Sequence, residues 1–191
     1  MRHFDQAFVE LRRAATLDPL SNIVACDLAD AGIYAGRYQD AIAVLQRTLQ
    51  RDPAFAPAHD YLAATYIRTG ELDLADQQAH IFQQLTGNDG KIRAVQMMRA
   101  VRQGDHAAQR RELLRSLHDP SLTPFHLAMV YFAIGDKENG YAALDHAVEL
   151  HEWWLITLPV EDAFDSVRQV PRFRAIEARV GLPITEPAAS P

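Results

Sequence analysis

The stretch that decides the fold is Leu28-Ala29-Asp30-Ala31-Gly32-Ile33-Tyr34-Ala35-Gly36, because one step of 34 further on the chain reads Leu62-Ala63-Ala64-Thr65-Tyr66-Ile67-Arg68-Thr69-Gly70. A Leu-Ala pair and a glycine keep their places in both. Working outward, Gly104 continues the step of 34 from Gly70, Ala75 repeats Ala41 and Pro53 repeats Pro19. Between these markers alanine, leucine, glutamine and arginine dominate, and valine and isoleucine seldom fall in the period-2 alternation of a half-buried strand, so the segments read as helix. Glycine suits the turn between paired helices, where a positive φ is favoured. A two-helix unit cannot bury its apolar face alone, so neighbours stack, and small residues such as Ala41 and Ala75 let the helices approach.

These residues resemble the tetratricopeptide repeat, a 34-residue helix-turn-helix unit. Leu28-Ala29, Gly36, Tyr38, Ala41, Leu45 and Pro53 fit one unit, and His59, Leu62-Ala63, Tyr66, Gly70, Ala75 and Phe82 fit the next. A weaker unit has Gly104 and Leu113, with polar Gln96 and Gln109 where apolar or small residues are usual. A further one has Leu127-Ala128, Tyr131, Gly135, Leu144 and Ala147, with Gly140 in place of alanine. From Gly104 to Gly135 the step is 31 rather than 34, so the register slips by three near Asp119-Pro120. The resemblance implies an all-α chain, a right-handed α-solenoid of such repeats with a C-terminal helical cap.

The expected organisation has four parts. Residues 1–19 form the second helix of an incomplete first repeat, with Ala7, Leu11, Ala14 and Pro19 in register. Residues 20–151 hold about four helix pairs, residues 152–184 a capping segment with short helices, and residues 185–191 a disordered tail. The missing partner of the first helix leaves two readings open: a piece of a longer protein, or a second copy of the chain that covers the exposed helix as a homodimer. The cap is similar to a segment that closes many bacterial tetratricopeptide arrays, through Trp154-Leu155, Phe164-Asp165, Pro171-Arg172-Phe173 and Gly181-Leu182-Pro183. Such arrays often end signalling proteins, which implies, as the alternative function, a regulatory or sensor segment of a bacterial signalling or transcriptional regulator whose effector domain is not in this chain.

Composition narrows the function. Against 25 acidic residues stand 19 lysines and arginines, a net charge of -6 that disfavours a nucleic-acid surface. No apolar run is long enough for a signal peptide or a membrane span. A single cysteine, Cys26, makes no intramolecular disulfide, so a soluble protein of the reducing cytoplasm is expected.

Chemistry finds little purchase. The eight histidines lack ligand spacing, since His146 and His151 are five apart and His118 and His126 eight apart, so neither a metal nor a cofactor is expected. His59 takes the place of the family's large packing residue and reads as core, while His80 reads as surface. Asp27 and Asp30 raise the pKa of Cys26 rather than activate it. Glu161-Asp162 has no companion acid or cation for glycosidase-type work. With no nucleophile, base and orienting group at usable spacing, the chain is read as no enzyme but a protein-interaction module, a scaffold or adaptor.

In the family the first helices of the units line a concave groove for an extended peptide or a helix. Carried over by register, that groove holds Asp30, Tyr34, Asp60, Arg68, Lys91, Met98, Arg102, Phe125, Met129 and Phe132, with Cys26, Ile33 and Ile67 beside them. Arg68 and Arg102 suit carboxylates, and Phe125 and Phe132 suit an apolar anchor. Asp30 and Ala64 stand where the asparagines of the family's carboxylate clamp belong, so a chaperone C-terminus is not the expected ligand. The partner is a protein or peptide of unknown identity.

Overall fold

The computed structural model describes residues 2–120 and 122–182, and the end of the cap at Pro183, together with the tail from 185 on, lies outside them. Among the described residues the chain forms ten α-helices and no strand. These are α1 (Arg2–Leu17), α2 (Asn22–Tyr34), α3 (Tyr38–Arg51), α4 (Ala56–Thr69), α5 (Leu72–Thr86), α6 (Gly90–Arg102), α7 (His106–Ser116), α8 (Pro124–Ala133), α9 (Lys137–Glu149) and α10 (Pro171–Arg179). Two short 3-10 helices, Trp153–Thr157 and Asp162–Phe164, lie between α9 and α10. The chain divides into two compact units, Met1–His106 and Ala107–Pro191.

In the first unit the period of 34 is kept to the residue. Helices α2, α4 and α6 begin at 22, 56 and 90, and α3 and α5 begin at 38 and 72. Each first helix packs on the next, α2 on α4 and α4 on α6, while α3 and α5 pair with them. At Gly70, φ is +84°, and the turn closes through Glu71 N–H donating to Tyr66 O at 2.8 Å. That left-handed backbone is the conformation glycine adopts without the steric cost a Cβ brings. Gly36, Gly104 and Gly135 share it. Ala41 and Ala75 are fully buried in the same interior as Leu45, Leu62 and Val95, and Ala63 is fully buried too.

His59 is buried in this core, its Nδ1 2.7 Å from Gln78 Oε1 on α5 and its Nε2 3.0 Å from Pro53 O. It ties α4 both to its partner helix and to the loop before it. The apolar stripe of α1 packs on α2: Phe8 lies against Gly32 and forms a small cluster with Leu28 and Ala31. The exposed side of α1 carries Gln6, Glu10, Arg12, Arg13 and Thr16 beside Val9 and Leu17, a mostly polar surface.

In the second unit the core is aromatic. Phe125, Phe132, Phe164 and Phe173 cluster with Leu144, Leu155, Leu158 and Val167, so the cap and the α8–α9 pair share one interior. Pro124 opens α8 at its first turn, and Leu127-Ala128 fall at helix positions four and five, where α2 and α4 carry the pair at seven and eight. The slip of three is thus a missing first turn of this helix.

Gly140 has a packing reason. A Cβ built there meets three atoms of the Phe132 ring at 2.9–3.0 Å, and that ring is held edge-on by Tyr141 and Phe164. Helix propensity alone favours alanine at position 140 by about 1 kcal/mol. We nevertheless expect Gly140→Ala to destabilise by about 1–3 kcal/mol, because the buried ring has nowhere to shift. Urea titration read by far-UV circular dichroism checks the sign, and a stabilised variant would refute this packing.

Candidate functional site

The ten groove candidates separate into seven in the first unit and three in the second. In the first unit they sit on equivalent faces of successive first helices. Tyr34, Arg68 and Arg102 recur at the step of 34 near the ends of α2, α4 and α6. The Arg68 guanidinium lies 5.5 Å over the Tyr34 ring, which also meets the Phe4 ring at 5.1 Å. Lower on the same helices, Lys91 Nζ is 3.4 Å from Asp60 Oδ1, so α6 is pinned to α4 by a partly buried ion pair. Met98 and Ile67 are half-buried against the core.

Arg102 forms no ion pair or hydrogen bond with another described residue. Its guanidinium lies directly over Gly70, in space a Cβ would need. It also lines a cavity of about 430 Å³ between the α4–α5 turn and the end of α6, whose other walls are Gly70–Leu74, Arg99 and Gln103. Arg99 is committed there: it donates to Asp73 Oδ1 at 2.7 Å and to Leu72 O at 3.3 Å. The register of the repeat does not single out Arg99. Its place three before Arg102 was the available signal, since that spacing puts both on one helix face.

Several expected groove residues lie elsewhere. Phe125 is 1% exposed and Phe132 6%, both in the aromatic interior of the second unit, so neither offers an apolar anchor to a ligand. Their pairing with Phe164, which lies outside the repeat, draws them inward. Met129 is half-buried against the same interior. Cys26 and Ile33 are also buried, in the core of the first unit. Burial, with Asp27, Asp30 and Asp60 nearby, pushes the Cys26 thiol up to about 12, so it stays protonated at neutral pH. The same surroundings push Tyr61 up, burial first and Asp30 next. This end of the face is electronegative.

Comparison with known proteins agrees with the geometry. Residues 33–86 match the family described as tetratricopeptide repeat, which takes in the α2–α3 turn and all of α3, α4 and α5. A chain of the crystal structure of the APC/C hetero-tetramer Cut9-Hcn1 superposes with a TM-score of 0.52 at 14% identity, over 93% of this chain and 36% of that one. No curated protein matches. Residues 33–86 thus match tetratricopeptide repeats, and the fold is an α-solenoid of helical repeats. Such repeats are protein-interaction modules, and no helix among the described residues is long and apolar enough to cross a membrane.

Proposed function

We propose that the face built by α2, α4 and α6 takes an extended peptide or a helix from a partner protein, and that the chain acts as an adaptor in the reducing cytoplasm. The observation that carries this reading is the row Tyr34, Arg68, Arg102, one residue per repeat at constant register, ending on an arginine with no protein partner among the described residues. A ligand with a carboxylate for Arg102 and an apolar residue for Met98 and Ile67 fits the row, because guanidinium–carboxylate hydrogen bonds are strong and directional.

Selection from a library of random 12-residue peptides, followed by titration of the enriched sequence, tests the reading. The expected consensus holds an acidic residue next to an apolar one, and Arg68→Ala with Arg102→Ala weakens it by at least about tenfold, the loss of one charged hydrogen bond. Equal affinity for wild type and double variant places binding on another surface.

A further inference from the structure

A second surface lies in the second unit, and no part of the groove reading bears on it. Residues 138–167 contain no lysine or arginine but seven carboxylates. Some are matched by cations from outside the stretch: Arg172 pairs with Glu138 and Asp145, Arg179 with Asp145, and Arg168 with Asp165. Glu149 and Glu152 have no cation among the described residues. Between and beside them stand the most exposed large apolar residues of this unit, Leu150 at 57%, Trp153 at 53% and Ile156 at 54%, spaced three apart.

The surface is held in place. His151 takes a positive φ of 53°, a conformation that costs a non-glycine residue energy and persists only where its surroundings enforce it. Here the enforcing bonds run from His151 N–H to Val148 O and from Glu152 N–H to Ala147 O, both at 3.1 Å. The chain then leaves α9 with Glu152 pinned by a 2.6 Å bond from the Thr123 hydroxyl, and Thr123 Oγ1 is also 3.0 Å from His126 Nδ1. The His126 ring meets Trp154 edge-on at 5.1 Å. Trp153 stacks on that anchored ring with centroids 3.6 Å apart, so an exposed indole face is presented without rotamer freedom to lose.

An indole face draws a planar cation, and the exposed, uncompensated Glu149 draws positive charge. We infer that the Leu150–Trp153–Ile156 surface docks an arginine-bearing apolar segment of a partner protein, the guanidinium over Trp153 beside the exposed Glu149 and the apolar residues on Leu150 and Ile156.

Both tryptophans of the chain are at this surface, so intrinsic fluorescence reads it directly. The probe is a fluorescein-labelled, end-capped peptide alternating leucine and arginine, followed by anisotropy, with its unlabelled form followed by tryptophan emission. Saturable binding at or below about 1 mM with a shift in emission is expected. Trp153→Ala and Glu149→Lys should each weaken binding about tenfold. Both positions are exposed, and lysine in the last turn of α9 favours the helix dipole, so both variants should keep their far-UV spectra. Arg68→Ala with Arg102→Ala should bind as wild type. Equal binding of a leucine–glutamate peptide would overturn the charge assignment. Absence of a saturable shift would overturn the surface itself, and an emission that changes with protein concentration alone would assign it to a second copy of the chain instead.

Discussion

Arginine in place of Ala75 is expected to cost more than about 3 kcal/mol of folding stability, because it both overfills a close-packed position and buries a charge without a partner. Ala75 is fully buried on the second helix of its repeat, in one core with Ala41, Ala58, Tyr66, Leu72 and Val95. The position therefore faces its own first helix and the next one, so the side chain cannot escape by tilting toward either. Stability for a domain is commonly about 5–15 kcal/mol, so a loss of this size is a large part of the total. Ala75→Ser keeps the volume and places its hydroxyl within reach of a backbone carbonyl one turn back, so it should cost far less. Urea titration followed by far-UV circular dichroism separates the three proteins. Equal midpoints for wild type and Ala75→Arg would remove Ala75 from the helix crossing.

Where the sequence was legible, a short-range rule fixed the answer. The interval of 34 placed Gly36, Gly70 and Gly104 in helix-ending turns, because the left-handed φ of such a turn is a local demand that few residues other than glycine meet. It also put Ala41 and Ala75 at buried crossings and His59 in the core, since these follow from position within one repeat. Legibility failed where a contact depends on residues outside the period. Register placed Phe125 and Phe132 on the groove side of α8, but Phe164, from a 3-10 turn beyond the end of α9, draws both rings into the interior. The cavity at Arg102 likewise depends on the path of one side chain across Gly70, which spacing does not encode. The exposed Trp153 hides in a motif that reads as cap, because its neighbour Trp154 does the packing and the pair looks alike in sequence.

Phe164→Ala should have the largest effect in the second unit, a loss of about 3–5 kcal/mol, the range for removing a buried phenylalanine and leaving a cavity. The ring is fully buried and touches three others, with centroids 5.6 Å from Phe125, 5.8 Å from Phe132 and 5.5 Å from Phe173. The first two are edge-on, and such pairs each add about 0.5–1.5 kcal/mol beyond the area they bury. Phe125 and Phe132 come from α8 and Phe173 from α10, so this one side chain joins a repeat helix to the end of the cap. Collapse around the gap is restricted, since Phe132 already lies against Gly140 and cannot swing without losing that contact. Phe164→Leu retains most of the volume and the apolar surface but none of the ring geometry, so it should cost clearly less than alanine. Tryptophan emission during urea unfolding is the direct readout, because Trp154 packs against this interior. An alanine variant whose emission midpoint matches the leucine variant would mean that the ring contacts carry no weight and that the cap is held by its aliphatic residues, Leu155, Leu158 and Val167, instead.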